Sequence, residues 1–218
     1  MKVHFIIGVA LLILLTTITV NQKIIITKFN IKEIILVDSI SLKEKDVKRS
    51  LSVIYNKNLL FLKNKEIEEI LVQFTSIESF YLDKKYPNTL KITIIEKKPI
   101  AILINNKKKF YISEKLDQFE FNDKNFNQDL PIVFGNKDDF KIFYKNLIKI
   151  DFPVNLIIKY MLYESNRWDL ETIDNKTIKL SSKNYVKNLK NYLNIKKKNN
   201  FKKFKVFDYR INDQLILK

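Results

Sequence analysis

The sequence predicts an α+β protein: an apolar N-terminal helix, a small unit of order strand–helix–helix–strand–strand, and a β-rich unit with two helices. Three observations carry this prediction. Residues 3–20, "VHFIIGVALLILLTTITV", run without an acidic residue. Residues 29–94 pass from strand-like to helical periodicity and back. From Ala101 onward, short strand-like segments recur with two helical interruptions.

At about 1.5 Å per residue, the first run covers most of a hydrocarbon core of roughly 30 Å. A cleaved signal peptide and an uncleaved signal anchor compete for it. Lys2 gives a basic start, but no Ala-x-Ala-like site follows, and Thr17 and Thr19 are the best small pair, so the anchor is favoured. Either reading exports the remainder. The expected division is a cytoplasmic tail (1–2), a transmembrane anchor (3–20), a linker (21–28), a first domain (29–100) and a β-rich domain (101–218).

Within the first domain, "FNIKEIILV" (29–37) reads as a strand. Ser41 with Glu44 forms a capping box, and Val47, Leu51 and Ile54 follow at helical spacing. "NLLFL" is an apolar connector. Asn64 is placed to cap a second helix lined by Ile67, Ile70, Leu71 and Phe74. A strand over 77–86 offers Ile77, Phe80 and Leu82 to the core. Pro87-Asn88 then makes a tight turn. Leu90, Ile92 and Ile94 alternate with Lys91 and Thr93, a half-buried strand. Pro99 cannot donate to a ladder, so residues 96–100 read as a joint between domains.

The β-rich domain supplies "AILI", "KFYIS", "LPIVF", "LIIKYMLY", "RWDLETI", "KTIKLS", "KVFDYR" and "QLILK" as strands, with a hairpin at Asp174-Asn175. Helices are expected near 138–150 (Phe140, Phe143, Tyr144, Leu147) and 183–195 (Val186, Leu189, Leu193), with core stripes. The lysine run "NIKKKNNFKKFK" reads as a solvated loop or helix end.

Composition removes several function classes. Two glycines, Gly8 and Gly135, exclude glycine-rich phosphate loops. Without cysteine there is no thiolate nucleophile, disulfide or cysteine-based metal site. The one histidine, His4, lies in the apolar N-terminus. The net charge of +16 is carried almost wholly by lysine, with arginine only at 49, 167 and 210. Base and phosphate recognition favours arginine forks, so nucleic acid is discounted as a partner. No catalytic, cofactor-binding or metal-binding residues are expected.

The order of these pieces resembles the FtsQ/DivIB family of bacterial cell-division proteins. The resemblance rests on the apolar anchor, the strand–helix–helix–strand–strand unit, and the run Tyr86, Pro87, Asn88, Thr89, Leu90, Ile92, Ile94, Glu96, Pro99, Ile100 and Ala101. "RWDLETIDNKTIKL" and "FDYRINDQLIL" match later parts of its β domain, with Asp208 and Arg210 in the expected places. The hairpin carries Asn175-Lys176 where the family commonly has glycine, and the cytoplasmic segment is shorter than usual.

The resemblance implies a POTRA domain at 29–100 and a non-enzymatic scaffold of the divisome. Such a protein spans the bacterial inner membrane once, with its C-terminal domain in the periplasm, enriched at the septum. It would recruit FtsB and FtsL through β-strand addition at its C-terminal edge, and other division proteins through the POTRA domain. Leu215, Ile216 and Leu217 are expected to pair with an FtsB strand, with Tyr209 and Ile211 adding side-chain contacts. Arg210 either orients an acidic partner residue or forms a structural ion pair with Asp208. Trp168 is expected in the core, beside a basic rim at Arg167. Two other readings remain: another exported POTRA-containing membrane-assembly protein, or a membrane-tethered wall hydrolase, for which Glu96 and Glu164 are the nominees.

Overall fold

The computed structural model describes residues 2–17, 27–38, 42–121, 129–211 and 214–218. Its first helix, α1, spans Lys2–Thr17. Among the described residues no helix is long and apolar enough to cross a membrane. Residues 18–20 of the expected anchor and 21–26 of the expected linker lie outside the described residues, as do Met1 and the expected cap Ser41. The chain divides into two compact units, Met1–Glu96 and Lys97–Lys218.

In the first unit, β1 (Glu33–Val37) is followed by α2 (Glu44–Ser50), a 3-10 turn (Leu51–Ile54), α3 (Asn64–Leu71), β2 (Ile77–Lys85) and β3 (Thr89–Glu96). The sheet order is β1-β3-β2. β1 runs parallel to β3, from Glu33 opposite Thr89 to Val37 opposite Thr93, and β2 pairs antiparallel with β3's other side. A parallel pair needs a long crossover, and the two helices lie within it. Leu90, Ile92 and Ile94 present one face of β3 and are fully or almost fully buried with Val47, Leu51, Ile54, Ile67 and Leu71.

Two local expectations fail here. The strand expected from Phe29 begins only at Glu33. Residues 29–31 pair instead with the turn at 56–59: Leu59 N–H donates to the Phe29 carbonyl, and Ile31 N–H to that of Lys57. Asn64 is the first helical residue of α3 rather than its cap; Glu66 Oε1 accepts from the Lys63 N–H at 3.2 Å and closes that end.

The second unit contains β4 (Pro99–Asn105), β5 (Lys108–Ser113), β6 (Gln118–Glu120), β7 (Ile132–Phe134), α4 (Lys137–Lys149), β8 (Ile157–Leu162), β9 (Trp168–Thr172), β10 (Thr177–Lys179), α5 (Tyr185–Lys196), β11 (Val206–Asp208) and β12 (Ile216–Leu217). They form one nine-stranded mixed sheet, order β12-β11-β10-β9-β8-β7-β4-β5-β6. α4 starts where Asn136 Oδ1 accepts from the Asp139 N–H at 2.9 Å. Phe140, Phe143 and Leu147 of α4, with Leu189 and Tyr192 of α5, close over Val133, Tyr160, Trp168, Leu170, Ile178 and Phe207. Trp168 stacks on Phe143 at 4.8 Å between centroids, as its core reading requires. Tyr192, absent from the expected stripe, is buried against Phe207, ring edge to face at 5.0 Å.

Candidate functional site

The strands β9 to β12 form one end of the large sheet. Alternation along each strand sends Leu170, Ile178, Phe207 and Leu217 toward the helices. Their neighbours Asp169, Lys179, Asp208 and Ile216 take the opposite face. Register places these four side by side: Asp169 opposite Lys179, Lys179 opposite Asp208, and Asp208 opposite Ile216.

Asp208 is 5% exposed. Arg210 turns back over it in a fork: Nε donates to Oδ1 and Oδ2 at 2.9 and 3.0 Å, and Nη2 to Oδ2 at 2.6 Å. The Arg210 backbone N–H adds a bond to Oδ1 at 3.1 Å. This donor set, led by the Arg210 side chain, holds the Asp208 carboxyl below its usual range. Asp169, 2% exposed, has no such fork. Arg167 Nε lies 3.5 Å from Oδ1, an ion pair too long for a good hydrogen bond, and both atoms lack a hydrogen-bond partner. Burial therefore dominates and pushes the Asp169 carboxyl up, against the opposing pull of Arg167, Lys179 and Arg210. The Arg167 guanidinium sits over the Tyr163 ring at 4.2 Å.

Beyond β11, Val206 and Lys218 exchange both backbone hydrogen bonds, at 2.9 and 3.1 Å. The antiparallel alternation then turns the N–H and C=O of Leu217 toward the open side. Among the described residues, β12 is the last strand of that side. Leu215 and Leu217 pack against the core, while Ile216 is 39% and Ile211 52% exposed. Tyr209 lies inward, 4% exposed, and its hydroxyl donates to Asn191 Oδ1 at 2.9 Å. Its side chain thus has little surface to offer a partner, unlike the expectation. It edges a cleft of about 200 Å3, lined also by Lys187, Asn188, Asn191, Gln214 and Leu215.

The family run lies in the first unit and the start of the second. Tyr86 is exposed and meets Phe29 edge-on, and the Tyr86–Pro87 peptide is cis. The Asn88 carbonyl accepts from Lys32 and Glu33 N–H groups at 2.9 and 3.3 Å, setting β1 beside β3. Leu90 is buried, Glu96 Oε1 accepts from the Leu42 N–H at 3.3 Å, and Pro99 opens β4. Glu164 is exposed in the β8–β9 turn. Among the described residues no cluster of three or more His, Asp or Glu is arranged to hold a metal. Asp169, Lys179 and Asn191 were not anticipated. The alternation in Arg-Trp-Asp-Leu does place Asp169 opposite the face of Trp168 and Leu170.

The FtsQ-type POTRA domain family matches residues 29–97. A curated relative from Rickettsia typhi, cell division protein FtsQ, is 26% identical over 176 residues, covering 79% of this chain and 65% of that protein. The protein of the same name from Rickettsia conorii is 26% identical over 185 residues, covering 84% of this chain and 69% of its own length. The chain therefore spans about two thirds of these relatives, slightly less for the first. The solved extracytoplasmic domain of the cell division protein DivIB from Geobacillus stearothermophilus overlaps 46% of this chain and 92% of its own length. It does so at 16% identity and a TM-score of 0.34, too slight a likeness to bear on the assignment. The matched domain falls on the strand–helix–helix–strand–strand unit, and the similarity to both relatives continues well beyond it: the chain carries an FtsQ-type POTRA domain and is similar over most of its length to cell division proteins named FtsQ.

Proposed function

We propose that this chain is a non-enzymatic scaffold of the bacterial division machinery. It is held in the inner membrane by residues 3–20, with the two units in the periplasm and the protein enriched at the septum. It recruits FtsB and FtsL at the β12 edge and contacts other division proteins through the POTRA unit. The observation that carries the reading is the open side of β12, where Leu217 turns its backbone donor and acceptor outward beside the fork of Asp208 and Arg210. A strand laid there completes a tenth ladder position, and exposed Ile211, Ile216 and the half-exposed Arg210 supply side-chain selectivity. Arg210 meets an acidic partner residue from within its existing fork.

The test is a depletion strain with a tagged copy, combined with FtsB pull-down. Filamentous, undivided cells and septal localisation are expected. Deletion of residues 213–218 should abolish FtsB capture while circular dichroism stays unchanged. Capture that survives this deletion in a folded protein removes the edge-strand reading.

A further inference from the structure

The POTRA unit has an apolar tip that its own core does not use. The turn between α2 and α3 buries Leu59 and Leu62, yet leaves Leu60 45% and Phe61 74% exposed. This turn stands beside the point where the chain enters the unit: Asn58 bridges to Asn30, and the Leu59 N–H donates to the Phe29 carbonyl at 2.8 Å. Phe29 meets the ring of Tyr86 edge-on at 6.0 Å, and Tyr86 is itself 56% exposed. Lys84 closes the circuit, its Nζ donating to the Leu62 and Leu60 carbonyls at 2.8 and 3.5 Å. Phe29, Leu60, Phe61 and Tyr86 therefore share one surface region.

Lysines rim this surface. Lys28, Lys57 and Lys63 are exposed around it. The nearby acids are already engaged: Glu66 with Lys57 Nζ at 2.6 Å and with the Lys63 N–H, and Asp83 with Lys85 Nζ at 2.9 Å. Exposed aromatic and aliphatic side chains inside a ring of lysines match the chemistry of an anionic bilayer surface. The apolar parts enter the acyl boundary while the ammonium groups of Lys28 and Lys63 reach phosphate. Only nine residues, 18–26, separate Thr17 of α1 from Thr27. Their contour reaches at most about 35 Å.

We propose that this tip rests on the anionic lipid surface of the membrane, a second contact beside the anchor. The proximity comes from the anchor reading; the chemistry of the tip stands independently of it.

The absence of cysteine makes the test clean. The full chain carrying Phe61→Cys, labelled with an environment-sensitive fluorophore, is reconstituted in vesicles of phosphatidylcholine with or without phosphatidylglycerol, doped with headgroup spin label. Val72→Cys is the control; Val72 is 75% exposed at the other end of α3, about 12 Å along the helix. The probe at 61 should shift to the blue and be quenched in phosphatidylglycerol vesicles, and the probe at 72 should not. Lys63→Glu should lower the docked population about fivefold or more, and high salt should release it. Equal, weak quenching at both positions overturns the proposal, as does quenching at 61 that ignores lipid charge, which would point to a protein partner. Flotation in high salt reads the anchor separately. A chain that floats with position 61 unquenched loses the tip alone. One that floats only on phosphatidylglycerol at low salt, with 61 quenched, loses the anchor alone.

Discussion

Asp169 and Asp208 lie in register on either side of Lys179, on one face of the same sheet, and their carboxyls are pushed in opposite directions. The difference is the arginine. Arg210 forks onto Asp208 with three side-chain bonds, whereas Arg167 approaches Asp169 at 3.5 Å. One carboxylate is fully compensated where it is buried; the other only in part.

Asp208→Asn should lower the melting temperature at pH 7. The folded pKa of Asp208 lies below its unfolded value, so its contribution is present above the ordinary carboxylate range and fades as pH falls through the folded value. The gap between variant and parent should therefore close below about pH 4. Thermal melts across pH check this; a gap of constant size at low pH would assign the loss to something other than the fork.

Asp169→Asn should behave oppositely. Burial raises the folded pKa, so the contribution is present below the unfolded value and is lost as pH rises through the folded one. At pH 7 the variant should be at least as stable as the parent, and below about pH 4 the two should coincide. A clear destabilisation at pH 7 would show that Arg167 and Lys179 outweigh the desolvation.

The two units have separate cores, and the single tryptophan reports on one of them. Phe143→Ala removes the ring stacked on Trp168 and should cost about 3–5 kcal/mol in the unfolding followed by Trp168 fluorescence. Ile92→Ala, in the centre of the POTRA sheet, should cost about 2–5 kcal/mol in a transition seen by circular dichroism. The fluorescence transition should stay in place. A shift of the Trp168 transition by Ile92→Ala would contradict independent cores.

What was legible in the sequence was local. Leu90, Ile92 and Ile94 declare β3 because one face is buried and the period of two survives. Phe140, Phe143 and Leu147 declare α4 in the same way. Tyr192 escaped because a stripe counted from Val186, Leu189 and Leu193 passes over a residue with a hydroxyl, though the ring is buried. Ile31 looks like a strand residue, so the sequence suggests an earlier start to β1 than Glu33. Its buried position is held by hydrogen bonds to residues 56 and 57, which no local period records. The inward turn of Leu215 and Leu217 follows from alternation. That β11 lies between β10 and β12 is a matter of long-range pairing, invisible in any one segment. For the same reason the alignment of Asp169, Lys179, Asp208 and Ile216 emerges only from three separate registers.

The scaffold reading rests finally on the backbone of β12, and Leu217→Pro tests it most directly. Leu217 directs its N–H outward, away from the ladder with β11, so proline there removes a donor to a partner while sparing the internal pairing. Leu217→Ala controls for the lost packing. With the FtsB periplasmic segment titrated onto the reconstituted full chain, the account predicts near-parental binding for Leu217→Ala and loss of binding for Leu217→Pro at unchanged circular dichroism. Equal binding by the two variants would contradict strand addition at this edge.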